Sequence, residues 1–289
     1  MSFVDFMILG AMKSGTTTLA KILSMHPDVC FCQIKEPHYF SKSPDWQKYI
    51  EDYKALYNPK SNQICGEASV SYTAYPLNNK NIWQSLYSFN PKLKFIYIMR
   101  EPIDRIVSHY VHNYLRGFTK EPFEKVVLHQ SNYININRYF TQIRPYIELF
   151  GQGQVLLLTF EEFISNKKVT LNKVANFLGI DGSKFIEFET VHANKSLGGP
   201  IKNFKAENIL QNQLFQTIKS LIPNIMQKKI DDIVNSIYQV NLDSKPNVSQ
   251  EMKKVIYDLL ILDIREIENL MGREIIEWNI FKNTHILSK

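Results

Sequence analysis

Residues 10–17 have the types and the spacing of a phosphate-binding loop. The segment reads Gly-Ala-Met-Lys-Ser-Gly-Thr-Thr, follows a short apolar run and precedes a predicted helix. Backbone N–H groups at a helix start favour a bound anion, and a lysine adds a full positive charge. The residues predicted to bind this anion are Lys13, Ser14, Gly15, Thr16 and Thr17. The alternative is an ordinary strand-to-helix turn with a solvated lysine.

The loop differs from that of the magnesium-dependent nucleoside triphosphatases. Their motif places a lysine directly after the second glycine, whereas here Thr16 follows Gly15 and Lys13 precedes it. In those proteins a neighbouring strand ends in an aspartate that helps to hold Mg²⁺. In this chain Arg100 stands at that position. The loop therefore predicts that side chains neutralise the phosphate without a metal ion, which argues against a kinase or a GTPase.

Arg100 and Ser108 form a second candidate anion site. Arg100 follows another apolar run, and just beyond it lies Pro102, which suits the first turn of a helix. Ser108 then falls two turns into that helix. A planar guanidinium and a hydroxyl are suited to holding a phosphate group. For Arg105, one turn before Ser108, we expect an ion pair with a neighbouring acid.

A predicted parallel sheet brings these residues together. Its strands are four short apolar runs at 6–9, 29–32, 95–99 and 155–158, which do not alternate with polar residues, as expected of strands covered on both faces. Helices are predicted at 17–25, 102–115 and 137–150. Strands that alternate with helices predict an α/β fold with a central parallel sheet.

The C-terminal part of the chain differs from the rest. From residue 206 onward the sequence indicates helices, with apolar residues at helical spacing between 252 and 271. We expect residues 206–289 to form a helical subdomain packed on the sheet, within a single domain of residues 1–289. A separate helical domain is the alternative.

The composition limits the classes of protein to which the chain belongs. Its 289 residues are 44% hydrophobic and 21% charged, as in soluble globular proteins. A net charge of +6 suits an anionic ligand but does not indicate nucleic acid.

The sequence predicts a cytoplasmic protein without a membrane span. No apolar run reaches the length of about 18 residues that a span needs, and the chain has no leader-like start. The three cysteines predict buried, reduced thiols, not a zinc site.

Two segments resemble motifs of the sulfotransferases that use 3′-phosphoadenosine 5′-phosphosulfate (PAPS). Residues 6–19, FMILGAMKSGTTTL, resemble the 5′-phosphosulfate loop of that family, and residues 95–110, FIYIMREPIDRIVSHY, resemble its 3′-phosphate motif with the same spacing from Arg to Ser. Further matches lie at 35–40, 66–69, 159–162 and 177–179. The chain is most similar to the heparan sulfate-type branch and its bacterial relatives.

The resemblance implies a P-loop-like, three-layer α/β domain that binds PAPS and releases 3′-phosphoadenosine 5′-phosphate (PAP), with no metal ion. Residues 13–17 would hold the 5′-phosphosulfate, and Arg100 and Ser108 the 3′-phosphate. A later basic loop closes over the nucleotide in the family. Here residues 194–200 match it best, with Lys195 and Ser196 as candidate contacts. A plain surface loop is the alternative.

Glu36 and His38 are the candidates for moving the acceptor proton. Residues two apart in an extended stretch point to the same side, so both side chains could reach one pocket. The resemblance implies that Glu36 is the general base and that His38 assists it, while Lys13 stabilises the leaving phosphate. In the alternative interpretation Glu36 pairs with Lys35 or Arg100, and His38 is structural.

The sequence does not determine the acceptor. The resemblance implies a hydroxyl or an amine of a saccharide or of a small secondary metabolite. Ala68 stands where heparan sulfate 3-O-sulfotransferases tend to have a lysine, so the substrate of those enzymes does not transfer directly. The rival functions are a nucleoside or small-molecule kinase with an altered loop and a nucleotide-binding module without turnover. Homo-oligomerisation stays open.

Overall fold

Five parallel strands form one sheet at the centre of the computed structural model, which describes residues 3–78, 81–185, 210–220, 226–231, 244–278 and 281–282. The strands are β1 (Phe6–Gly10), β2 (Val29–Phe31), β3 (Ile64–Ala68), β4 (Lys94–Met99) and β5 (Val155–Thr159). Their order across the sheet is β2-β3-β1-β4-β5, and every neighbouring pair is parallel. The predicted parallel α/β fold is therefore confirmed.

Strand β3 is the one strand of the sheet that the apolar runs did not predict. It reads Ile-Cys-Gly-Glu-Ala, so a glycine and a glutamate interrupt the hydrophobic pattern. Glu67 is nevertheless fully buried. Its carboxylate accepts hydrogen bonds from the hydroxyls of Tyr53, Tyr72 and Ser69 at 3.0, 2.9 and 3.1 Å. Buried polar groups are tolerated when they are hydrogen-bonded in this way.

Helices follow most of the strands. They are α1 (Thr16–Ser24), α2 (Tyr39–Lys42), α3 (Ile50–Lys54), α4 (Ile82–Phe89), α5 (Pro102–Leu115), α6 (Phe123–His129), α7 (Asn132–Asn135), α8 (Tyr139–Phe150), α9 (Phe160–Ser165), α10 (Lys167–Leu178), α11 (Gln213–Ser220) and α12 (Gln250–Met271). Helix α5 begins at Pro102, as predicted, and the side chain of Glu101 accepts a hydrogen bond from the backbone N–H of Asp104 at 2.6 Å. This cap places Arg100 just outside the helix start.

The sheet is covered on both faces, which gives the predicted three layers. Alternate residues of a strand point to opposite faces. Met7 and Leu9 of β1 belong to one buried cluster together with residues of α5, α8 and α12. Phe6 and Ile8 belong to a second cluster with residues of α1 and α10. The functional loops at the ends of β1 and β4 therefore start from strands that are held on both sides.

Helix α12 packs against α8 and shares the core of the sheet. The carboxylate of Asp263 accepts hydrogen bonds from the backbone N–H groups of Phe140 and Thr141, both at 2.9 Å, at the start of α8. An acceptor at a helix start satisfies N–H groups that have no partner inside the helix. The expected division at residue 206 lies outside the described residues, so the domain assignment stays a prediction.

The three cysteines differ in their exposure. Cys32 and Cys65 are buried, as predicted, but Cys30 is partly exposed, and all three thiols are free. Cys30 lies beside Cys65 in the register of β2 and β3. Strand β2 is at the edge of the sheet, so one side of it is less covered.

Within the described ranges, no helix combines the length and the apolar character needed to cross a bilayer.

Candidate active site

A cleft of about 530 Å³ opens where β1 and β4 end. The carboxyl ends of parallel strands meet at one edge of a sheet, and ligands of open α/β sheets bind there. Seven of the residues predicted from the sequence line it: Lys13, Gly15, Thr16, Thr17, Glu36, Arg100 and Ser108. A guanidinium nitrogen of Arg100 lies 3.4 Å from the carbonyl oxygen of Lys13. The two predicted anion sites are therefore parts of one cleft.

The phosphate loop, residues 10–17, owes its shape to left-handed backbone conformations. Lys13 has φ 68° and Gly15 has φ 88°. A Cβ atom on Gly15 would lie 2.8 Å from the ring of Phe160, so only glycine fits this close approach. Helix α1 starts at the next residue, and the first N–H groups of a helix have no intrahelical partner. The loop thus offers free donors beside Thr16 and Thr17.

Ser14 differs from the other predicted loop residues because its side chain is fully buried and does not line the cleft. Within the described part of the chain, its hydroxyl has no hydrogen-bond partner. Its backbone N–H donates to the carbonyl oxygen of Ala11 at 3.2 Å. A buried polar atom without a partner is uncommon. The predicted contact of the Ser14 side chain with the phosphosulfate therefore stays a prediction.

Arg105 supports the phosphate loop, and within the described ranges it forms no ion pair with an acid of the kind that we expected. Its side chain is 2% exposed and donates to the carbonyl oxygens of Met12 and Ile136 at 2.8 and 2.6 Å. It also donates to the side-chain oxygen of Asn137 at 3.0 Å. Backbone carbonyls thus replace the acid that we expected. Arg105 ties the phosphate loop to helix α5.

Arg100 is held in place while part of its guanidinium stays available. One nitrogen lies 3.3 Å from Asp104, and the guanidinium stacks over the ring of Phe160 at 5.0 Å. The hydroxyl of Tyr139 donates to the carbonyl oxygen of Arg100 at 2.6 Å. The Nε atom of Arg100 is buried and has no hydrogen-bond partner among the described residues. Ser108, two turns into α5, lines the same cleft.

Glu36 and His38 lie side by side, but not in the extended stretch that we expected. Both have left-handed backbone, with φ 60° and 54°, so a turn brings the side chains together. One oxygen of Glu36 is 2.7 Å from Nζ of Lys35, and the other is 3.3 Å from Nε2 of His38. The pairing with Lys35 is that of the alternative interpretation. Glu36 lines the cleft, whereas His38 contacts Glu36 without being among the lining residues.

The electrostatic potential of the cleft favours an anion. Burial lowers the pKa of Lys13, and the neighbouring charges of Arg100, Arg116 and Lys35 lower it further. Burial, with smaller contributions from Lys13 and Arg116, lowers the pKa of His112 to about 4. The positive charges around Lys13 repel it. A bound dianion offsets that repulsion and therefore stabilises the charged form of Lys13.

The sequence interpretation did not assign to the site three basic residues that line the cleft: Lys35, His112 and Arg116. His112 and Arg116 follow Ser108 at intervals of four residues, so the three share one face of α5. This spacing was visible in the sequence and could have located them. Lys195 and Ser196, the expected contacts of a closing loop, lie outside the described residues.

The comparison with known protein families identifies the family of the chain. The sulfotransferase domain model matches residues 4–255, which include both loops and Glu36. The chain belongs to the sulfotransferase family. The resemblance found in the two motifs is therefore confirmed, as is the expectation of an enzyme class that transfers sulfate, with PAPS as the donor of the family.

Individual relatives agree with this assignment. The sulfotransferase is 26% identical to carbohydrate sulfotransferase 15 of Mus musculus, over 61% of this chain and 43% of that protein. It is also 26% identical to heparan sulfate glucosamine 3-O-sulfotransferase 3B1 of Mus musculus, over 67% of this chain and 50% of that protein. The chain thus spans about half the length of the curated relatives it matches.

A solved structure shows the same fold. The crystal structure of a sulfotransferase from Alicyclobacillus acidocaldarius superposes with a TM-score of 0.68 and 20% sequence identity, and the match covers 96% of this chain and 100% of that one. This likeness concerns the fold.

The donor set of the cleft fits a doubly phosphorylated nucleotide. Lys13, Thr16 and Thr17 line one part of the cleft, and Arg100 and Ser108 line another. The buried Nε of Arg100 has no acceptor among the described residues. In the described ranges, no three His, Cys, Asp or Glu side chains cluster as a metal site requires. Independence from metal ions stays a prediction.

Proposed function

We propose that this sulfotransferase moves the sulfuryl group of PAPS to a hydroxyl or an amine of a saccharide or a small secondary metabolite. The observation that carries the proposal is that one cleft joins the phosphate loop, Arg100, Ser108 and Glu36. Two separate groups of anion donors suit a ligand with phosphates at both ends. A carboxylate beside them suits an acceptor whose proton must be removed.

Two sets of residues bind the two phosphate-bearing ends of the nucleotide. Lys13 and the N–H groups of residues 15–17 bind the 5′-phosphosulfate, and Arg100 and Ser108 bind the 3′-phosphate. When bound, PAPS supplies an activated sulfuryl group. Lys13 and the loop donors stabilise the negative charge that grows on the 5′-phosphate as the sulfuryl group departs, which is the kind of preorganised stabilisation that contributes most to such reactions.

Glu36 accepts the proton of the acceptor. It lines the same cleft as Lys13, and Lys35 and His38 each contact one of its carboxylate oxygens. Each oxygen has two lone pairs, so Glu36 can accept a hydrogen bond from an acceptor hydroxyl while it keeps these neighbours. Positioning of the acceptor against the sulfuryl group then accounts for the remaining rate enhancement.

Two relatives support a saccharide acceptor, since one is named a carbohydrate sulfotransferase and the other a heparan sulfate glucosamine 3-O-sulfotransferase. Ala68, at the buried end of β3, leaves the choice among saccharides open. The proposal also keeps the predictions of a cytoplasmic, bacterial-type enzyme and of no nucleic-acid partner. Three free thiols favour a reducing compartment.

A thermal-shift and transfer experiment tests the proposal. A ligand present at about 100 times its dissociation constant stabilises a protein by about 2.7 kcal/mol. We expect PAP to raise the melting temperature more than ATP with Mg²⁺ does, and radiolabel from PAPS to appear on at least one member of a saccharide panel. A larger shift with ATP and Mg²⁺ would favour the kinase. A shift with PAP but no transfer to any acceptor would favour a module without turnover.

A further inference from the structure

Ser71 contacts the imidazole ring of His38 from the side opposite Glu36. The short 3₁₀ helix Val70–Thr73, which follows β3, carries it there. The hydroxyl oxygen of Ser71 lies 2.7 Å from Nδ1 of His38, and Nε2 of the same ring lies 3.3 Å from the carboxylate of Glu36. A serine, a histidine and a glutamate thus form one chain of contacts that ends at the cleft.

The positions of the protons follow from the chemistry of the two ends. A carboxylate accepts hydrogen bonds, so the nitrogen that faces Glu36 must carry a proton to bond with it. Burial lowers the pKa of His38, which favours the neutral ring with a single proton. With that proton on Nε2, Nδ1 has a lone pair and accepts a hydrogen bond from the hydroxyl of Ser71.

The backbone around the ring is fixed by a second serine. The N–H of His38 donates to the hydroxyl oxygen of Ser69 at 3.1 Å, and that hydroxyl donates to the buried carboxylate of Glu67 at 3.1 Å. Residues other than glycine adopt positive φ angles at a cost, and they do so mostly where the surroundings impose them. Ser69 supports the strained backbone of His38, so Ser71 is left to set the state of the ring.

We propose that Ser71 is a positioning residue that fixes the tautomer of His38 and thereby orients the carboxylate of Glu36. Without the hydroxyl, the proton of the ring can move to Nδ1. A bare Nε2 then faces the carboxylate, the two lone pairs repel each other, and Glu36 turns away from the cleft. The catalytic consequence rests on the proposed function, in which Glu36 is the base.

The other charged groups near the ring do not replace Ser71. Glu36 raises the pKa of His38, whereas Lys42 and Lys35 lower it, and burial has the largest effect. None of the three makes the contact with Nδ1. The hydroxyl of Ser41 lies 2.8 Å from that of Ser71 and 3.0 Å from the carbonyl oxygen of His38. A hydroxyl has one proton to donate, so Ser71 donates to Nδ1 when Ser41 donates to Ser71. Ser41 thus supports the serine and not the ring.

The test compares Ser71→Ala with Ser71→Thr in the full chain. Nitrogen NMR of ¹⁵N-histidine protein, with the signals of His38 assigned from a His38→Gln variant, reports which ring nitrogen is protonated. We expect the Nε2–H tautomer in the wild type and in Ser71→Thr, which keeps the hydroxyl, and a shift toward Nδ1–H in Ser71→Ala. With PAPS and a responsive acceptor, kcat of Ser71→Ala should fall about tenfold, as expected for one lost hydrogen bond, with KM for PAPS unchanged.

The NMR measurement needs no substrate, so it separates this inference from the proposed function. An Nδ1–H ring in the wild type, or the same tautomer in the wild type and in Ser71→Ala, would overturn it. A drop in kcat without a change of tautomer would make Ser71 merely structural and would also overturn it. The expected tautomers together with no transfer from PAPS would support the geometry and reject the proposed function instead.

Discussion

A Lys13→Met variant is expected to lose about 10²–10³-fold in kcat, as for the loss of one key donor to a developing oxyanion. Methionine keeps most of the length and the apolar stem of lysine but removes the charge. Lys13 lines the cleft within the phosphate loop. Burial and then the charges of Arg100, Arg116 and Lys35 lower its pKa, and a bound anion offsets both effects. The measurement is steady-state transfer from PAPS.

The control for this variant is Lys168→Met, because Lys168 is exposed on helix α10, far from the phosphate loop in sequence. It should keep wild-type turnover. If Lys13→Met kept turnover within about threefold of the control, the assignment of the leaving-group charge to Lys13 would be wrong.

A Glu36→Gln variant is expected to lose on the order of 10²–10⁴-fold in kcat, the range that general base catalysis contributes. The amide has nearly the same shape as the carboxylate but cannot take up the acceptor proton. Because Glu36 is not among the residues proposed to bind phosphate, the affinity for PAP should stay close to that of the wild type. Turnover and PAP titration together check both statements.

Glu51→Gln provides the matched control for this second variant, since the side chain of Glu51 is 80% exposed and forms an i,i+3 pair with Lys54. It should behave as the wild type does. A Glu36→Gln protein with full turnover and normal PAP binding would reject Glu36 as the base and favour its structural pairing with Lys35.

Local patterns were sufficient to predict the phosphate loop and the strands and helices next to it. The loop is one continuous segment between a strand and a helix, so its chemistry depends on residues that are adjacent in the chain. Helix α5 followed from Pro102 and from the apolar spacing behind it. The family resemblance then connected Lys13 with Arg100, which the sheet order explains, since β1 and β4 are neighbours.

Contacts between distant parts of the chain could not be predicted in this way. Strand β3 was missed because Glu67 interrupts its apolar pattern, and the tyrosines that satisfy this carboxylate come from elsewhere in the chain. Arg105 bonds to carbonyl oxygens, which no sequence pattern marks. Ser71 lies 33 residues from His38, and only the fold brings their side chains together.

The central claim is that Arg100 and the phosphate loop hold opposite ends of one nucleotide. Isothermal titration of PAP and of adenosine 5′-monophosphate, which lacks the 3′-phosphate, into the wild type and into Arg100→Gln tests it most directly. Hydrogen bonds to charged groups contribute about 1.5–3 kcal/mol, so the wild type should bind PAP roughly 10–100 times more tightly than the monophosphate, and Arg100→Gln should lose most of that preference. Equal affinities in the wild type, or an unchanged preference in Arg100→Gln, would contradict the account.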